Sequence, residues 1–277
     1  MQQPSQPSPE ELALSRAELS ELHASQGDQR GDDGDFSGAL QDYRKAAQLD
    51  PASPAKLLKL AEGYAANDLH HKAFQLYQRA LEANALQDAD EDMTEAYVGM
   101  GDLCRTFARS AAAVRSYERA VRSKPKQPFL RWKLACALAT MGLYDRAEAQ
   151  MQIILEQAPE DSFYHFHLSD LYRVMNRDLD SVAHMARAVE YAPRDDYYRL
   201  RLGAALLRAG MNEEAVVQFE AAAHMKPTNA SYQTLLLFAH LKNEQQPEIA
   251  VDVDKIELSA YDEDFVNRIQ RLAVPVG

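Results

Sequence analysis

The sequence predicts an all-α, right-handed solenoid of helix-turn-helix units with a C-terminal capping segment. Three observations predict it. Pro125, Pro159, Pro193 and Pro227 recur at one constant interval. Columns of small and large apolar residues recur with the same period. The composition, 46% hydrophobic and 26% charged over 277 residues, suits a helical chain with one buried face per unit. Self-similarity at a fixed period means that one supersecondary unit is stacked, each copy burying a face it cannot bury alone.

From the N-terminus, residues 2 to 7 are only Gln, Pro and Ser, so residues 1–8 are expected to be disordered. Ser8, Pro9 and Glu11 read as a helix start, with a hydroxyl cap, a first-turn proline and a carboxylate three residues after the cap. That helix is expected to reach about Ser25 and to end in a Gly- and Asp-rich loop over 27–35. The aspartates of this loop lack the spacing of a cation site. Residues 9–53 thus read as an N-terminal helix and a degenerate repeat. Gly34, Asp35, Ala39, Tyr43, Ala46 and Pro51 suit its second helix, whereas Gln26 and Arg30 fall on core positions of its first.

Five repeats follow at 54–87, 94–127, 128–161, 162–195 and 196–229, with six extra residues, 88–93, after the first of them. Numbering each repeat from 1 to 34, position 7 holds Leu60, Met100, Leu134, Leu168 and Leu202. Position 8 is small throughout: Ala61, Gly101, Ala135, Ser169 and Gly203. Position 20 holds Ala73, Ala113, Ala147, Ser181 and Ala215, and position 27 holds Ala80, Ala120, Ile154, Ala188 and Ala222. Position 24 is large: Tyr77, Tyr117, Met151, Met185 and Phe219. Small residues let two helices approach, and the large one fills the space beside them. Residues 230–277 complete the chain as a capping helix from Ser231 to Lys242, an acidic tail, and a short helix from Tyr261 to Leu272.

This column pattern resembles the tetratricopeptide repeat family over residues 54–229, with the weaker copy before it. The resemblance implies a concave wall made by the first helices at positions 2, 5, 6, 9, 12 and 13. Position 2 then offers Phe129, Phe163 and Tyr197, and position 5 offers Trp132 and Phe166. Position 6 offers Lys59, Lys133, His167 and Arg201, position 12 Arg105 and Arg173, and position 13 Arg208, with Asp102 and Asp170 at position 9. Aromatic and Arg side chains are the types that carry interface energy. The candidate groove is therefore Phe129, Trp132, Lys133, Phe163, His167, Asp170, Arg173, Tyr197, Arg201 and Arg208. The ordinary alternative for Trp132 and Phe166 is packing between repeats. The Lys and Asn set that co-chaperone members use to clamp a terminal carboxylate is missing, since position 9 holds no asparagine.

The net charge of −12 is uneven. Residues 1–50, 88–95 and 244–264 carry −6, −5 and −7, so the remainder carries +6. Arg115, Arg119, Arg122 and Lys126 recur at helical spacing as a basic stripe on the outer side of one second helix, either a solvated face or a docking site. No aromatic platform accompanies it, which argues against nucleic acid. Residues 247–264, acidic with interleaved apolar residues, could cap the last repeat or lie along the concave wall.

There is no phosphate loop, no nucleophile elbow and no pair of histidines at helical i and i+4, so neither an enzyme, a metal site nor a cofactor is expected. Cys104 and Cys136 read as small core residues. No apolar run is long enough to span a bilayer, and the N-terminus lacks the features of a signal peptide, so a cytoplasmic location is expected. The resemblance implies a protein-interaction adaptor, scaffold or chaperone-like assembly factor that takes a partner peptide or helix with acidic and apolar residues. The alternative is a self-associating scaffold that pairs acidic ends with the basic stripe.

Overall fold

The computed structural model describes residues 15–87, 92–243 and 260–272. These form fourteen helices, and among the described residues there is no strand. The fold is an all-α helical-repeat solenoid. It divides after Met141 into two compact units.

The first unit contains α1 (Arg16–Asp32), α2 (Phe36–Leu49), α3 (Pro54–Ala66), α4 (His70–Leu86), α5 (Thr94–Thr106), α6 (Ser110–Ser123) and α7 (Pro128–Thr140). Helix α1 departs from expectation. It starts at a capping box, in which Ser15 accepts from the Glu18 amide while Glu18 accepts from the Ser15 amide. It continues through Asp32, so residues 27–32 are helical and not loop. The expected start at Ser8 and Pro9 lies outside the described residues. The physical reason for the longer helix is packing. Gly27 lies under the Tyr43 ring so closely that a Cβ there would stand 2.5 Å from it. The same contact recurs between Gly101 and Tyr117, again at 2.5 Å. Counted back from Pro51, Gly27 is position 8 and Tyr43 position 24, so α1 and α2 pack as the later hairpins do. Gln26 and Arg30 are simply exposed.

The second unit contains α8 (Tyr144–Gln157), α9 (Ser162–Val174), α10 (Asp178–Tyr191), α11 (Asp196–Arg208), α12 (Asn212–Met225), α13 (Ala230–Lys242) and α14 (Ala260–Leu272). Several first helices start on side-chain caps: Asp161 accepts from the Phe163 amide, Asp195 from Tyr198, and Asn229 from Ser231 and Tyr232. One core cluster gathers around Leu200, Phe219 and Leu235, and it includes Val266 and Ile269 of α14. The expected tail over 244–259 lies outside the described residues.

One backbone device recurs in both units. Position 15, between the two helices of a repeat, is left-handed at Gly34, Asp68, Ala108, Gly142, Asn176 and Gly210, with φ between 54° and 82°. A left-handed residue just past a helix turns the chain back while satisfying the last carbonyls. Within each unit, the helix beginning on the other side of such a turn is therefore fixed in direction.

Candidate partner-binding wall

The first helices carry an ion ladder that the separate columns did not reveal. In the first unit, Asp102 of α5 accepts the Tyr117 hydroxyl at 2.6 Å and Lys133 Nζ at 2.8 and 2.9 Å. Asp28 repeats the arrangement, accepting Tyr43 at 2.8 Å and meeting Lys59 at 2.9 Å. In the second unit Asp170 pairs with Arg201 and accepts Arg173 Nε at 3.3 Å. Each rung joins position 9 of one repeat to position 6 of the next. Burial, helped by the neighbouring carboxylates, pushes the Tyr43 and Tyr117 hydroxyls well above the usual range, so they remain donors. The rung breaks after Glu62, where the matching position is Gly99 and burial raises the Glu62 carboxyl.

The cations predicted for the groove are thus present but matched. Lys133 lies 5.2 Å from the Phe129 ring centroid, and Phe129 packs on Trp132 with centroids 5.3 Å apart. Arg201 lies over Phe166 at 4.8 Å and donates to the Tyr197 hydroxyl at 3.0 Å. His167 stands edge-on to Phe163 at 4.3 Å, and burial, with Arg201 nearby, lowers its pKa. Phe129 and Phe163 keep 45% and 37% of their surface exposed, while Trp132, Phe166 and Tyr197 are half-buried. Position 2 therefore presents open aromatic faces at Phe129 and Phe163 but not at Tyr197, and position 5 is partly packing.

Arg208 is not open on the wall. It is buried, and its Nε and Nη2 donate to Asp178 Oδ1 at 2.9 and 2.7 Å. A guanidinium this deep needs its carboxylate, so its task is to join α10 to α11. Arg115, Arg119 and Arg122 are exposed along α6, and Lys126 is exposed just beyond its end. Beside the ladder in the first unit, Asp102, Arg105, Thr106, Ala108, Ser110, Ala137 and Thr140 line a cleft of ≈ 570 Å³.

Sequence reading also missed a polar pair, His165 buried and His184 half-buried. His165 Nε2 reaches the Pro159 carbonyl at 2.8 Å, and its Nδ1 lies 2.9 Å from Nδ1 of His184. A carbonyl only accepts, so neutral His165 donates through Nε2 and accepts from His184. Burial, with His165 alongside, lowers His184 to about 4. The two histidines stand on different helices, α9 and α10, at a spacing that matches no motif. Among the described residues no group of three or more metal-ligating side chains occurs.

Residues 100–162 match the family model of the tetratricopeptide repeat. That stretch is similar to the tetratricopeptide repeat, and the other described hairpins share its helix-turn-helix form. Its fold is similar to that of PilF from Pseudomonas aeruginosa, at 16% identity and a TM-score of 0.62, over 80% of this chain and 99% of that one. MamA from Desulfovibrio magneticus matches at 16% identity and a TM-score of 0.58, over 65% of this chain and 98% of its own. YrrB, described as a tetratricopeptide repeat protein with an unusual peptide-binding site, matches at 18% identity and a TM-score of 0.52, over 62% and 85%. No curated protein matches by sequence. None of the described helices is long and apolar enough to cross a membrane.

Proposed function

We propose that this repeat protein is a non-enzymatic, cytoplasmic adaptor, scaffold or chaperone-like assembly factor that takes a partner peptide or helix along its first-helix wall. The observation that carries the reading is an open ring in each unit, Phe129 beside the carboxylate-held Lys133 in the first and Phe163 edge-on to His167 in the second. Fixed aromatic faces supply contact area at little ordering cost, and matched ions supply orientation more than attraction. The partner is accordingly apolar first, with acidic residues as secondary contacts to Arg105 and Arg173. YrrB, with its own peptide-binding site, makes this use of the fold a reasonable one. The exposure of Arg115, Arg119 and Arg122 favours self-association as the second reading.

One experiment separates them. Peptides selected from a displayed library on the wild-type chain are measured against Phe129→Ala/Phe163→Ala/Tyr197→Ala and against Arg115→Glu/Arg119→Glu/Arg122→Glu. The aromatic triple variant should bind at least tenfold more weakly, about 1.4 kcal/mol, with helicity retained. The charge reversal should leave peptide binding alone. If only the charge reversal changes binding or sedimentation, the wall is not the site.

A further inference from the structure

Two inner columns behave differently in the last full repeat. Position 9 is partly open at Glu62, Asp102, Cys136 and Asp170, but Ala204 of α11 is 0% exposed. Position 13 is exposed at Ala66, Thr106, Thr140 and Val174, but Arg208 is only 7% exposed. Asp178 pairs with Arg208, and the helix that shares the core cluster with Ala204 is α14. It packs on α11 and α13, both first helices, more than on the second helix α12. Val266 and Ile269 are buried in the core cluster, and Phe265 is stacked on Tyr232 with centroids 6.3 Å apart and planes 16° apart. The opposite face of α14 carries exposed Glu263, Asp264, Arg268 and Arg271. It is an amphipathic helix seated on the wall that the other repeats leave open.

We propose that the α11/α13 wall is a helix-binding surface and that α14 is its built-in occupant, displaced by a partner helix of the same chemistry. That partner is an amphipathic helix with an aromatic residue followed one and four positions later by aliphatic residues, as Phe265, Val266 and Ile269 are. The inference rests on the reading of the first-helix wall as the binding surface and extends it to the C-terminal repeats. Helix-in-groove recognition of this kind is read through anchors at such spacings. A tethered occupant competes as an intramolecular ligand, so only a helix that binds well displaces it.

The test keeps the full chain and inserts a protease site within 244–259, the segment that joins α13 to α14. The probe is a labelled synthetic peptide of residues 260–272. Cutting should raise probe binding at least tenfold over the uncut chain, and a probe carrying Val266→Asp and Ile269→Asp should not bind. A full-length Val266→Asp/Ile269→Asp variant should bind the wild-type probe without cutting. Loss of cooperative melting on cutting would make α14 a fixed cap and overturn the proposal. So would a cut chain that stays folded and takes up no probe. Sedimentation as a dimer that exchanges α14 between copies would assign the surface to a second chain instead. Library peptides that still depend on Phe129 and Phe163 would show that only this inference had failed.

Discussion

The hairpins α5–α6 and α9–α10 have the same length and register but fill it differently. In α5–α6 position 8 is Gly101, and the fully buried Tyr117 ring presses on its backbone. In α9–α10 positions 8 and 20 are Ser169 and Ser181, each hydroxyl donating to the other's carbonyl at 2.8 and 3.0 Å, with Met185 as the filling residue. The two show what the repeat demands. It needs little volume where the helices cross and a large side chain beside the crossing, and any hydroxyl placed there must be satisfied. The inner positions are under no such demand. Asp102 holds Lys133 through a full rung, whereas Asp170 holds both Arg173 and Arg201.

The largest test of this contrast is truncation of the filling residue. Tyr117→Ala should lower stability by about 3–5 kcal/mol, since it leaves a cavity and frees Asp102 from a donor. Ser169→Ala should cost about 1 kcal/mol, because Ala already stands at position 8 in other repeats and only one hydroxyl loses its exchange. Denaturant unfolding of the two variants reads the difference. Equal losses would mean that the packing columns are not what holds the hairpins.

The packing columns were legible in the sequence because they obey the period. Their boundaries at the N-terminus were not, because Gly27 and the neighbouring aspartates have the composition of a loop. The usable signal was a pair: the interval from Gly27 to Tyr43 equals that from Gly101 to Tyr117. The ladder was invisible to a column-by-column reading, since a rung links position 9 of one repeat with position 6 of the next. Phe129 and Phe163 were placed on the wall by their column, and they are open in the structure. Arg208 was placed there too, but no sequence column shows that Asp178 and the Arg173 carbonyl hold it. Its burial is a property of three helices at once.

A smaller effect distinguishes the turns of the same two hairpins. Ala108 and Asn176 hold φ of 54° and 55° at position 15, where other repeats use glycine. A left-handed alanine is strained by roughly 1–2 kcal/mol, whereas asparagine tolerates the conformation through its own short polar side chain. Ala108→Gly should raise stability by about 1 kcal/mol after the entropic cost of glycine, and Asn176→Gly should change it by only a few tenths. Thermal melts of both variants, run with the wild type, check the order. A loss at Ala108→Gly would contradict the strained turn.

The central claim is that the first helices meet the partner and the exposed arginines of the second helix α6 do not. Hydrogen exchange of the full chain with and without a library-selected peptide tests it most directly. The account predicts slowed exchange in α7, α9 and α11 around Phe129, Phe163 and Tyr197, with α6 and its arginines unchanged. Slowed exchange confined to α6, or spread equally over the second helices, would contradict it.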